Sequence, residues 1–175
     1  MSTGRHLRNI ALIGFMGTGK SSVGQLVAAQ LRFAYVDTDH EIEARAGCSV
    51  AEIFAHEGEP AFREWERRIV RELETRRQVV ISTGGGLPVG EGNLASLKAH
   101  SLVVCLWASP ETIWERVGDQ THRPLLNGPE PMGKIRELLA VREPFYRQAD
   151  ILLNTEMRTM REVAQQIVHQ FPSGG

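Results

Sequence analysis

The stretch Gly14-Phe-Met-Gly17-Thr-Gly19-Lys20-Ser21 constrains this chain more than any other. It fits the pattern G-x-x-x-x-G-K-[ST] in full. An apolar run, Asn9 to Phe15, leads into it and reads as a buried strand. Ser21 to Leu31 follows, with Val23, Leu26, Val27 and Leu31 at helical spacing. A strand that turns through glycines into a helix is a phosphate cradle. The glycines let backbone N–H groups converge on phosphate oxygens without a Cβ in the way, and Thr18 between them is a further ATP-binding candidate. The helix start adds its dipole and free N–H groups. Lys20 then neutralises charge on the β- and γ-phosphates. Ser21 is the expected direct ligand of Mg²⁺, and Ser22 adds a backbone or hydroxyl contact. A glycine turn with a solvated lysine would not require these flanks. The loop predicts ATP or GTP and leaves the acceptor open.

The rest of the chain repeats the alternation of strand and helix. Ala34 to Val36 is a brief second strand ending at Asp37; Gln78 to Ser82 is a third, Leu102 to Trp107 a fourth and Ile151 to Leu153 a fifth. Ser49-Val-Ala-Glu52 has capping-box spacing and starts a helix that stops near Gly58. Pro60 suits the first position of a longer helix, with Phe62, Trp65, Ile69 and Leu73 on its apolar face. Ser109-Pro110 opens another. A helix from about Lys134 should kink or end at Pro144. Thr159-Met-Arg-Glu162 caps a last one, whose apolar positions are Val163, Ile167 and Val168. Gly118 to Gly133 is polar, rich in Gly and Pro, and reads as a mobile loop. Apolar strands separated by helices predict an α/β fold with a parallel sheet covered on both faces. At 175 residues, with no internal repeat and no linker, one domain spanning 1–175 is the economical reading.

Composition narrows the function class. A formal net charge of −1 gives no electrostatic case for nucleic acid or an acidic membrane. No apolar stretch approaches the ~20 residues of a membrane span. Met1 to Arg8 lacks the apolar core and cleavage site of a signal peptide. Cys48 and Cys105 lie far apart and in no ligand-like spacing, so neither a disulfide framework nor a zinc site is expected. A reducing, cytoplasmic setting fits.

Several residues beyond the loop could choose the acceptor. Asp37 and Asp39 close the second strand, and strand carboxyl ends line the ligand crevice of an open α/β sheet. One could hold Mg²⁺ through water while the other orients and deprotonates a hydroxyl. An Asx pair capping the next helix accounts for them equally well. Gly84-Gly85-Gly86 permit close backbone approach and unusual φ values, as would a plain flexible turn. Arg63 and Glu66 are neighbours at i and i+3; a surface ion pair worth under ~1 kcal/mol explains them as well as a carboxylate-binding fork does. Arg142 could supply a second fork. Arg116 and Arg123 flank or sit in the Gly/Pro-rich segment, where an arginine suits the charge of a transferring phosphoryl group. His40, His56 and His122 are expected to be solvated or local hydrogen-bond partners.

In order along the chain, GFMGTGKSS, DTD, IFAHEGEPAFREWE, STGGG, RPLL and VREPFY resemble the shikimate kinase family, over about Asn9 to Gln170. Each later motif is weak alone; the ordered set is specific. The resemblance implies a three-layer α/β/α P-loop NTPase fold, with a central five-stranded parallel sheet in order 2-3-1-4-5. It implies a substrate-binding region at about 38–66 and a lid at about 118–133. It implies transfer of the ATP γ-phosphoryl group to the 3-hydroxyl of shikimate, in aromatic amino acid biosynthesis. One Mg²⁺ would accompany ATP, and the chain would act as a monomer with no nucleic-acid or membrane partner. By matching motif, Asp39 resembles the hydroxyl ligand and candidate base, and Asp37 the residue holding Mg²⁺ through water. Arg63 and Arg142 resemble the pair gripping the shikimate carboxylate, with Glu66 in support. Gly84, Gly85 and Gly86 resemble the backbone contact to the acceptor. Arg123 resembles the lid arginine near the phosphates and Arg116 the adenine-stacking arginine, with Arg158 on the adenine loop. The rivals are a gluconate kinase of similar fold, a nucleotide-binding regulator that has lost catalysis, and, least supported, a nucleic-acid-binding protein.

Overall fold

The computed structural model describes residues 4–120 and 126–172. Five parallel strands, β1 (Asn9–Ile13), β2 (Ala34–Asp37), β3 (Val79–Ser82), β4 (Ser101–Trp107) and β5 (Ile151–Asn154), pair in the order β2-β3-β1-β4-β5. This is the predicted sheet. The central strand β1 is buried at every residue because helices cover both faces. Successive side chains point to opposite faces. Ile10, Leu12, Val80, Val104 and Leu106 therefore join one apolar cluster, and Ala11, Ile13, Ile81, Val103 and Cys105 the other.

Helices α1 (Lys20–Leu31) and α8 (Met160–Gln170) close the first cluster with Val23, Val27, Val163 and Ile167. The second face carries α2 (Thr38–Ala46), α3 (Val50–His56), α4 (Glu59–Leu73), α5 (Asn93–His100), α6 (Pro110–Val117) and α7 (Pro131–Tyr146). They contribute Ile42, Ile53, Phe62, Ile69, Leu97, Ile113 and Ile135. The predicted caps are present. Ser49, Ser109 and Thr159 each accept from the N–H three residues on, and Ser49 and Thr159 complete capping boxes. Each cap stabilises its helix by about 1 kcal/mol.

Four details depart from expectation. Helix α5 was not foreseen, and α2 only through the alternative in which the Asp pair caps a helix. In α2 only Thr38 and Ile42 are buried, so no apolar stripe announces it. Pro60 takes the second position of α4, not the first. Helix α7 begins at Pro131, three residues before expectation, so the expected 118–133 loop loses its last three residues to the helix. It also runs through Pro144, which denies the turn before it one N–H donor, and ends two residues later at Tyr146. Residues 121–125 of the expected lid, with Arg123 and His122, lie outside the described residues.

Among the described residues no helix is long and apolar enough to cross a membrane. Cys48 and Cys105 are both free thiols. Cys105, 1% exposed in β4, has its thiol pushed up to about 12 by burial.

Candidate active site

The phosphate loop joins β1 to α1 at the carboxyl edge of the sheet. Gly14, Gly17 and Gly19 have φ of 138°, 74° and 94°, conformations that other residues rarely adopt. Gly14 also lies against β4, where a Cβ would stand 2.1 Å from the Leu106 carbonyl oxygen. Lys20 Nζ donates to the carbonyl oxygens of Gly14 and Phe15, both at 2.8 Å. Thr18 Oγ1 donates to Phe15 O at 2.8 Å. The Thr18 hydroxyl is thus committed to the loop itself, leaving its backbone N–H for a ligand. No side chain caps α1 and its first turn holds no acid, so its N-terminal N–H groups and positive dipole end serve an anion. Ser21 and Ser22 are exposed there.

A cavity of about 420 Å³ opens over this loop, lined by Met16, Gly17, Gly19 to Ser22, Asp37, Asp39, His40, Glu43 and Ser82 to Gly85. Asp37 ends β2 and does two jobs. Its Oδ1 accepts from His40 N, capping α2, and its Oδ2 accepts from Ser21 Oγ at 3.3 Å. The capping and functional readings of the Asp pair are therefore both right for Asp37.

A smaller cavity of about 120 Å³ adjoins the first and shares Met16, Asp39, Gly84 and Gly85 with it. Its remaining walls are Val50, Phe54, Phe62, Arg63, Glu66, Gly86 and Arg142. Residues distant in sequence meet here: α4 brings Arg63 and Glu66, α7 brings Arg142, and the turn after β3 brings the glycines. Asp39, in the first turn of α2, stands where the two cavities join.

Arg63 and Glu66 are not a surface pair. Glu66 is 0% exposed and accepts from Arg63 Nη1 at 2.7 Å. Glu59 accepts from the other side of the same guanidinium. Arg142 is 5% exposed, with its guanidinium carbon 5.2 Å from the centre of the Phe15 ring. Among the described residues, Arg142 Nη1, Asp39 Oδ1 and Glu66 Oε1 are buried without a hydrogen-bond partner. Buried polar atoms of native proteins are nearly always paired, so this donor and these acceptors fit a polar ligand. Burial, and then the charge of Asp37, push the Asp39 carboxyl up to about 6. Burial pushes Glu66 up to about 7 against the pull of Arg63.

The glycine triplet is explained by close approach, not by unusual φ. None of the three has a positive φ. A Cβ on Gly84 would stand 2.6 Å from Asp39 Oδ1, on Gly85 2.9 Å from Arg142 Nη1, and on Gly86 2.6 Å from Arg63 Nη2. Each glycine makes room for a different charged side chain.

On the other side of the loop a recess of about 220 Å³ is lined by Thr18, Val23, Arg116, Thr155, Arg158, Thr159, Met160 and Val163. Arg116 Nη1 donates to Gly17 O and Thr155 Oγ1, and Nη2 donates to Thr155 O. Its guanidinium ties the phosphate loop to the segment after β5. Glu156 pins that segment by accepting from Ser109 N, Thr112 Oγ1 and Asn154 Nδ2. The bonds from Ser109 and Thr112 draw its carboxyl down to about 2. Sequence reading gave no role to Glu156, Thr155 or the walls Met16, Val50 and Phe54; Met16 and Phe54 stand inside the quoted stretches GFMGTGKSS and IFAHEGEPAFREWE, but an apolar side chain there announces no chemistry.

A family model described as shikimate kinase matches residues 16–172. The shikimate kinase of Thermodesulfovibrio yellowstonii is 43% identical over 165 residues, covering 94% of this chain and 95% of that one. The chain belongs to the shikimate kinase family. It is therefore a kinase of the ATP-using P-loop class. The shikimate kinase from Acinetobacter baumannii, solved in complex with shikimate, superposes on this family member with a TM-score of 0.89 at 38% identity, covering 93% of this chain and 92% of that one. A gluconokinase from Sinorhizobium meliloti shares the fold, with a TM-score of 0.60 over 94% of this chain and 91% of that one, but at 17% identity the likeness is of fold alone.

Proposed function

We propose that this chain transfers the γ-phosphoryl group of ATP to the 3-hydroxyl of shikimate, giving 3-phosphoshikimate and ADP. The observation that carries the reading is the small cavity. It sets two arginine forks, the two carboxylates of Asp39 and Glu66 and a glycine backbone beside a phosphate loop. A carboxylate-bearing polyol matches that set: its acid takes the forks of Arg63 and Arg142, and a hydroxyl meets Asp39. The backbone of Gly84, Gly85 and Gly86 closes on the same molecule, while Glu66 holds Arg63 in place.

Anchoring the acid aims its hydroxyl at the phosphate loop, and such positioning can supply several kcal/mol of barrier reduction. Asp39 accepts the hydroxyl proton as the new O–P bond forms and the bond to ADP breaks. Lys20, the loop amides from Gly17 to Ser22 and the lid arginine, Arg123, which lies outside the described residues, hold the charge of the phosphoryl group. Arg116 and Arg158 line the recess proposed for the base.

The residues present fit Mg²⁺. Ser21 Oγ and the Asp37 carboxylate meet at 3.3 Å beside the loop, a hard-oxygen pair that suits a cation keeping most of its water and phosphate ligands. Ser21 would hold it directly and Asp37 through water. When bound it neutralises phosphate charge and orients the triphosphate.

The deciding assay is ADP release from MgATP with shikimate, gluconate, a nucleoside monophosphate or no acceptor. Release that depends on shikimate supports the reading; release only with another acceptor overturns the substrate. The shikimate-dependent rate is expected to fall as pH drops through about 6, because Asp39 must be ionised to accept a proton and its carboxyl titrates there. A rate flat from pH 8 to pH 5, from about a hundredfold fewer protons than at that value to about tenfold more, contradicts the role.

Gly86→Ala tests the crowding at the glycine turn. Gly86 has φ −92° and ψ −8°, which alanine adopts without strain, so the chain is expected to fold. The new methyl displaces the Arg63 guanidinium. The KM for shikimate is expected to rise about tenfold, roughly the loss of one charge-assisted hydrogen bond, with the KM for MgATP unchanged. Steady-state kinetics in each substrate checks both.

A further inference from the structure

The glycine turn has a problem that its own residues cannot solve. Gly84, Gly85 and Gly86 offer no side chains with which to fix their orientation, yet each must lie within van der Waals reach of Asp39, Arg142 or Arg63. A run of glycines is otherwise the most conformationally free segment a chain can have. Local bonds from Leu87 N to Gly84 O and from Val89 N to Gly86 O, both 3.1 Å, hold part of it, and they leave Gly84 N and Gly85 O to be fixed from outside the turn.

Two hydroxyls do so, from opposite sides. Thr38 is 0% exposed in the first turn of α2, and its Oγ1 accepts from Gly84 N at 3.0 Å. Tyr146 is 5% exposed in the last turn of α7, and its hydroxyl donates to Gly85 O at 2.6 Å. Neither side chain lines the two cavities over the phosphate loop and the glycine turn. Each sits next to a residue that does. Thr38 precedes Asp39, and Tyr146 lies one helical turn beyond Arg142. A Cβ on Gly85 would also stand 3.6 Å from the Tyr146 hydroxyl, so ring and turn are packed as well as bonded.

We propose that Tyr146 and Thr38 are positioning residues of the transfer reaction: their hydroxyls clamp the Gly84–Gly85 backbone so that Asp39 and Arg142 meet the acceptor in register. The clamp ties the ends of two helices to one peptide turn. Helix α2 carries the proton acceptor, helix α7 carries a carboxylate fork, and the distance between them is set through Gly84 and Gly85. Without the Tyr146 hydroxyl, Gly85 O loses its donor, and the Gly85 peptide between the bonded Gly84 and Gly86 carbonyls can shift away from Arg142. The acceptor site then loosens while the phosphate loop, held by Lys20, Thr18 and Arg116, keeps its form.

This inference rests on shikimate being the acceptor, and the test separates the two claims. Tyr146→Phe removes one oxygen and keeps the ring. Thr38→Val removes the acceptor oxygen at nearly constant volume, and Thr38→Ser keeps it. Steady-state kinetics in shikimate and in MgATP, with thermal melts alongside, are run on all three and on the wild type. Tyr146→Phe and Thr38→Val are each expected to raise the KM for shikimate about tenfold, the effect of leaving one buried polar group unpaired, with the KM for MgATP unchanged. Thr38→Ser is expected to restore most of the affinity that Thr38→Val loses. Equal rises in both KM values, or a lowered melting temperature with no change in the KM for shikimate, assign the hydroxyls to folding and overturn the proposal. If one variant fails to fold, the other decides by the same readout. No turnover of shikimate by the wild type overturns the substrate reading and this inference with it. Wild-type turnover with variants of unchanged KM overturns the positioning role alone.

Discussion

Asp39→Asn is expected to lower turnover about 10²-fold or more while the affinity for MgATP stays within about twofold. The substitution is nearly isosteric, so the join between the two cavities keeps its shape. What changes is chemistry. An amide cannot take the hydroxyl proton, and its NH₂ group can face the hydroxyl with a donor where an acceptor is required. The nucleotide should be indifferent, because Asp37, not Asp39, bonds to Ser21. In a loose transition state the base matters less than orientation, which holds the expected loss to the lower part of the usual range. Coupled detection of ADP gives turnover, and calorimetry with a non-hydrolysable ATP analogue gives affinity. Loss of nucleotide affinity matching the loss of turnover would move Asp39 into the nucleotide site.

Arg142→Ala is expected to cost about 10³-fold in kcat/KM for shikimate, as expected for truncating one partner of a buried, hydrogen-bonded charge pair. Arg142 is 5% exposed and stacked against Phe15, so its fork is presented to the acceptor already desolvated and oriented. Arg142→Lys should recover little. An ammonium has neither the planar pair of donors nor the flat face that lies on the Phe15 ring. Arg63 remains to oppose the Glu66 charge in either variant, and a thermal melt checks that the chain still folds. A loss shared equally between shikimate and MgATP kinetics would mean that Arg142 supports the phosphate loop through Phe15 and does not grip the acceptor.

The sequence was most legible where chemistry is local. The phosphate loop needs its glycines, lysine and serine in consecutive positions, and they are found doing what the spacing requires. The caps at Ser49, Ser109 and Thr159 are similarly local and similarly clear. The acceptor site was legible only in part, because its parts come from α2, α4, α7 and the turn after β3. Seen along the chain, Arg63 and Glu66 are any i, i+3 pair. Only the packing of α2 and α3 over α4 makes Glu66 a buried group and Arg63 a directed one. The glycine triplet was read as close approach or unusual φ; close approach is the cause, and what demands it is three charged side chains arriving from elsewhere. Helix α5 was missed because eight residues with two buried leucines, Leu94 and Leu97, give periodicity too little length to register. Proline at 144 marks the end of its helix to within two residues, because its missing N–H and its ring disturb the turn before it and not the residues after it.

The buried thiol of Cys105 has a practical consequence. It sits in β4, between Ile13 of the central strand and Leu152 of β5. Its side chain leaves the sheet on the face that α7 covers, so a sulfur so enclosed, and with its thiolate disfavoured, reacts with a modifying reagent mainly when that covering layer lifts. The chain therefore carries an internal clock. The rate at which Cys105 becomes labelled counts openings of the helical layer over the sheet, and its slowing when nucleotide or acceptor is added would read out binding energy without any assay of catalysis.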